Sequence, residues 1–214
     1  MHFSHLSREV LAETLLAAGP DAPTLCEGWA TRHLAAHLYL RERSARVGLG
    51  LVVPAWHGAS DRATERLAAR NATPERFAEI VAAFRAGPPA LSPLRLAAVD
   101  EAANLAEFFV HTEDVRRATD RWAPRALDTA YADALWDELI KRAALLYRGV
   151  DLGVVLVSTA GPRHVARRAA VSVAIVGDPG ELLLHASGRT AQALVTFEGQ
   201  PDAVALLASS EVGH

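Results

Sequence analysis

The chain has 214 residues, a formal charge of −3 and one cysteine, and half of it is apolar. One cysteine excludes a disulfide framework and a cysteine-built zinc site, and the charge gives no electrostatic case for DNA or RNA binding. Alanine fills about a fifth of the positions, a bias toward helix.

In chain order, the start (Met1 to Arg8) has no long apolar run, so a signal peptide is not expected. No apolar stretch approaches the roughly 20 residues of a membrane span, and a cytoplasmic protein is the default. Ser4 is placed to cap a helix to about Ala18, closed by Gly19-Pro20. Residues 20–30 are turn-rich. A second helix starts near Thr31, with Leu34, His37, Leu38 and Arg41 on one face. Residues 48–60, with three glycines, Pro54 and Trp56, read as a loop. Thr73 followed by Pro74 opens a helix with Phe77, Ile80, Val81 and Phe84 on one side, ended by Gly87-Pro88-Pro89. Long helices cover roughly 94–119 and 128–148.

The pattern changes after Gly149. Residues 154–157, 171–176 and 193–197 are β-rich runs. Asp178-Pro179-Gly180-Glu181 has the form of a capping box and opens a helix that ends at Gly188. Residues 202–208 form a short last helix. The fold class is therefore mainly α with a small α+β C-terminal unit: a helical bundle over 1–149 and the smaller unit over 150–214.

The chemistry concentrates in one segment. Asp100, Asn104, Glu107, His111 and Asp114 follow steps of 4, 3, 4 and 3, the spacing of a single helix face. Leu105, Phe108, Phe109 and Val110 flank them. A solvated outer face is the plain reading of such a stripe. The wide aromatic flanks and the lack of arginine before Arg116 argue for burial, and buried acids need a cation or a hydrogen-bond partner. Glu107 and His111 are i and i+4 and can converge on one ion. His37 is the best third ligand. His33, one turn earlier, makes a second histidine pair, so on spacing alone both could bind. Two histidines, a carboxylate and an open position form a known catalytic zinc arrangement. The other histidines, at 2, 5, 57, 164, 185 and 214, read as surface or structural. No phosphate-binding loop, dinucleotide fingerprint or nucleophile elbow occurs.

Two segments carry a family resemblance. Thr24-Leu25-Cys26-Glu27-Gly28-Trp29 leads into the helix of His37, and Glu107-Phe108-Phe109-Val110-His111-Thr112-Glu113-Asp114-Val115-Arg116-Arg117-Ala118 follows later. Together they resemble the actinobacterial family of mycothiol-dependent maleylpyruvate isomerase-like, metal-binding proteins of the DinB-like superfamily, in particular an uncharacterised subgroup. Gly177 to Leu182 and Gly188-Arg189 are similar to that family's sterol-carrier-like C-terminal domain. The resemblance implies an antiparallel four-helix bundle with a divalent metal, often zinc, held by His37, Glu107 and His111. It also implies a low-molecular-weight thiol of the mycothiol type, activated at the metal for isomerisation or S-transfer on a small electrophilic substrate. Arg189 takes the place of an arginine that assists the substrate. The chain departs from the subgroup at Thr112, where a second histidine is usual, at His33, where an acid is common, and at Ala30, which separates Trp29 from Thr31.

In this reading Asp114 and Asn104 orient the ligands, and Arg41 holds a carboxylate of substrate or cofactor, with a surface role as its alternative. Cys26 reads as a buried small residue rather than a nucleophile. The partners are a small molecule and a thiol, with no nucleic acid and no membrane, and the oligomeric state is left open. The alternatives are a non-catalytic metal-binding or sensor module and a structural bundle with an empty site.

Overall fold

A computed structural model describes residues 2–44 and 57–213. They contain eight α-helices, which we number α1 to α8, and a sheet of four strands near the C-terminus. Among them, no helix is long and apolar enough to cross a membrane. The chain forms two compact units, residues 1–123 and 124–214. The 149/150 division read from the sequence falls just after the first helix of the second unit.

The first unit holds α1 (Ser4–Ala18), α2 (Thr31–Arg43), α3 (His57–Arg70), α4 (Pro74–Arg85) and α5 (Ala97–Arg116). Leu11 and Leu15 of α1, Leu34 and Leu38 of α2, Phe77, Val81 and Phe84 of α4, and Phe108 of α5 form its core. Small residues fill between them: Ala12, Ala35, Ala36 and Ala68 are fully buried. Phe84 and Phe108 meet edge to face at 5.3 Å.

Helix ends show where local signals hold and where tertiary contacts replace them. Gly19 closes α1 with φ +77, a conformation open to glycine. Thr73 caps α4 by accepting from the Arg76 amide. Ser4, expected to cap α1, is instead its first residue. Glu101 of α5 does the capping, accepting from the amides of Phe3 at 2.9 Å and Ser4 at 2.8 Å. Helix α3 is an element the sequence reading left out. The expected loop over 48–60 lies mostly outside the described residues, and its last four positions are helical.

The second unit holds α6 (Thr129–Leu146), β1 (Gly153–Ser158), β2 (Arg163–Arg167), β3 (Ser172–Gly177), α7 (Pro179–Ala186), β4 (Thr196–Glu198) and α8 (Pro201–Ala208). Strand order is β2-β1-β3-β4. β1 is antiparallel to β2 and parallel to β3, and β4 is antiparallel to β3. Val154 and Leu156 pair with Val173 and Ile175, and all four are buried on one face of the sheet. Helix α6 packs on α7 and β2. Asp178 stands before α7 as expected, yet its side chain makes no cap hydrogen bond. Asp178 accepts from the Thr159 hydroxyl, and Glu181 accepts from the Leu194 amide at 2.8 Å.

Candidate metal centre

The polar stripe of α5 is turned inward, which removes the solvated-face reading. Asn104 and Asp114 have no exposure and His111 has 9%. The stripe divides into two parts that differ in how their charges are met.

At its N-terminal end, Asp100 and Asn104 join a closed ion-pair network. Arg8 of α1 donates to both oxygens of Glu42 of α2, at 2.8 and 2.5 Å, and reaches Asp100 at 3.3 Å. Its guanidinium also lies over the rings of Phe84 and Phe108. Asn104 donates to Asp100 at 2.6 Å, and the Ser4 hydroxyl donates to the same carboxylate at 2.6 Å. Asn104 therefore serves the network and holds Arg41. Among the described residues, its hydrogen-bond partners are Arg41, Asp100 and Glu42.

At the C-terminal end, three donor atoms converge on one point. His37 Nε2 is 3.5 Å from Glu107 Oε1, and His111 Nε2 is 3.2 Å from the same oxygen. All three atoms lie within 4.8 Å of one another. Two ligands of a tetrahedral zinc ion, each about 2.0–2.2 Å from it, sit about 3.3–3.6 Å apart. The observed spacing therefore suits a shared ion. The hydrogen-bond pattern points the same way. His111 Nδ1 donates to Asp114 at 2.8 Å, which leaves the Nε2 lone pair facing the Glu107 carboxylate. Two lone pairs face each other there unless a cation or a proton stands between them.

A second group of ligand-type side chains, Cys26, His111 and Asp114, shares the His111 ring on its other side. Cys26 Sγ donates to Asp114 at 3.3 Å and is 4.0 Å from His111 Nδ1. The 2.8 Å between Asp114 and His111 is a hydrogen-bond length, shorter than the ligand spacing above. This group fits the support of a metal ligand better than a site of its own. The link from Cys26 to Asp114 was not foreseen: the two are 88 positions apart, and no spacing rule connects them. What joins them is the turn before α2, where the Leu25 amide donates to the Asp114 carbonyl at 3.0 Å. Trp29 of the same turn lies against His37, ring centres 5.2 Å apart.

The electrostatics follow from these neighbours. Burial alone would raise the Glu107 carboxyl, but the Arg41 charge and the bonds to His111 and His37 hold it well below the usual carboxylate range. Burial likewise opposes charging His111, yet Asp114, Cys26 and Glu107 push it well above an ordinary histidine. His37 goes the other way, lowered first by burial.

His33 accepts from the Ala30 amide through Nδ1 at 3.1 Å, capping α2, and its Nε2 is 3.3 Å from Glu65. Its donor atoms are thus turned to the cap and to α3, and it is in neither ligand group. Arg41 donates to Asn104 and to the Ala103 carbonyl, and its Nε is 3.4 Å from Glu107. It holds α5 rather than presenting a free fork. Arg189 belongs to the second unit and donates to the Ser187 carbonyl at 2.6 Å. His185 is a core residue of that unit, bonded to Tyr147 at 3.0 Å.

No protein-family model matches the chain, and no curated protein or solved structure does.

Proposed function

We propose that the protein binds a divalent metal, most readily zinc, at His37, Glu107 and His111, within a DinB-like bundle followed by a sterol-carrier-like unit. We further propose that it acts as a thiol-dependent isomerase or S-transferase of the mycothiol type on a small electrophile. The observation that carries the metal reading is the convergence of two histidine nitrogens on one carboxylate oxygen at 3.2 and 3.5 Å. The resemblance of the Thr24–Trp29 and Glu107–Ala118 segments to that family supports the thiol chemistry.

A divalent ion held there supplies Lewis acidity and lowers the pKa of a water or thiol that reaches it. The chain's residues prepare that place. Asp114 accepts from His111 Nδ1, fixes the ring and leaves Nε2 as the ligand atom. Cys26 Sγ bonds the same Asp114 oxygen and anchors it. Trp29 packs on the His37 ring and limits its rotation.

Thermal unfolding with millimolar mycothiol tests the thiol step. Metal-loaded protein is expected to gain stability and metal-free protein is not. Metal-loaded protein that shows no shift would support a non-catalytic metal-binding module instead.

A further inference from the structure

Arg41 sits one turn after His37 on α2, and its three polar nitrogens all face α5. Nη1 is bonded to Asn104, Nη2 to the Ala103 carbonyl at 2.8 Å, and Nε is 3.4 Å from the oxygen that the two histidines share. Its position is therefore fixed, and its charge stands beside the ligand carboxylate in a half-buried place where water screens it incompletely.

Among the described residues, two carboxylates stand closest to the donor atoms. Glu107 brings one negative charge, and Asp114, bonded to the back of His111, brings another. His37 and His111 are neutral as ligands, and Trp29 adds no charge. Deeper in, Arg8 and Arg43 offset Glu42 and Asp100. A divalent ion would just cancel the two carboxylates. Arg41 adds a positive charge at the same Glu107 oxygen, 3.4 Å away.

We infer that Arg41 sets the ligand preference of this centre: a metal held by His37, Glu107 and His111 takes a small anion in its open position, and the fixed guanidinium favours the anion over a neutral ligand. The inference rests on the metal-binding reading above. Arg41 acts as a positioning residue, through its charge and through Glu107. Consistent with this, Arg41 is the strongest of the influences that lower the Glu107 carboxyl.

The test uses full-length protein loaded with cobalt(II), titrated with azide as the anion and imidazole as the neutral ligand, and followed by visible absorption. Arg41→Gln and Arg41→Met, two charge-removing variants that guard against a folding defect in either, are expected to weaken azide about tenfold or more and to leave imidazole unchanged. Arg41→Lys is expected to keep most of the azide affinity. Equal azide affinity in wild type and a charge-removing variant, with cobalt bound in both, overturns the inference and leaves the metal reading standing. Wild type that binds no cobalt overturns the metal reading itself.

Discussion

The two ends of the α5 stripe are packed in the same bundle, and both use acids at helical spacing against α2. At the N-terminal end, Glu42 and Asp100 meet Arg8, and Asn104 closes the network. At the C-terminal end, His37 and His111 each turn Nε2 toward one oxygen of Glu107. In the first arrangement both carboxylates are met by the Arg8 guanidinium. The second is complete only with a cation or a proton. Identical spacing therefore supports two different outcomes, and what separates them is the partner supplied by another helix. A buried network that satisfies itself should report in stability, and one that does not should report in ligand affinity.

The strongest challenge to that contrast is Arg8→Met. It leaves Glu42 buried without its partner, and a loss of about 3–5 kcal/mol in unfolding free energy is expected. Folded Arg8→Met should keep the metal affinity of wild type. A comparable drop in metal affinity would mean that the two ends are one network.

A second satisfied pair, in the other compact unit, gives a pH-dependent control. His185 is 2% exposed, and burial pushes it down to about 4. Between pH 6.5 and 4 the unfolded chain binds a proton that the folded chain does not, so stability falls as pH falls. The loss should reach about 3 kcal/mol at the bottom of that window. Urea unfolding at pH 7 and pH 4.5 checks it. His185→Gln should lose less over that range than wild type, and an equal loss would remove His185 as the cause.

Smaller effects are expected around the metal ligands. Asp114→Asn should lower metal affinity by about 10–100-fold while the ion still binds, as expected of a residue that orients a ligand. His33→Ala should leave metal affinity unchanged and cost about 1 kcal/mol of stability through the lost α2 cap. If His33→Ala weakens metal binding as much as His37→Ala does, the ligand set of His37, Glu107 and His111 is wrong.

Much of this was legible in the sequence because the signals were local. Thr73-Pro74 and Gly19 mark helix ends by side-chain and backbone chemistry that needs no partner. The stripe itself followed from a 4-3-4-3 spacing. Other features were hidden for physical reasons. The buried face of α3 is Ser60, Thr64 and Ala68, small or polar residues that leave no apolar period to read. Strand β2 reads Arg-His-Val-Ala-Arg, and the arginines at its two ends mask its β character. The Arg8–Glu42 pair and the Cys26–Asp114 bond join residues far apart in sequence, and only packing reveals them. Arg41 was placed on the right face, but its bonds to Asn104 and Ala103 depend on how close α2 and α5 approach.

At the C-terminal end of the stripe, His37, Glu107 and His111 are expected to hold one divalent ion. Zinc titration of metal-free protein against a competing chelator decides whether they do. One ion per chain is expected in wild type and in Arg8→Met, and none at the same chelator concentration in His37→Ala and Glu107→Ala. No ion in wild type, or undiminished binding in both ligand variants, would refute the shared site.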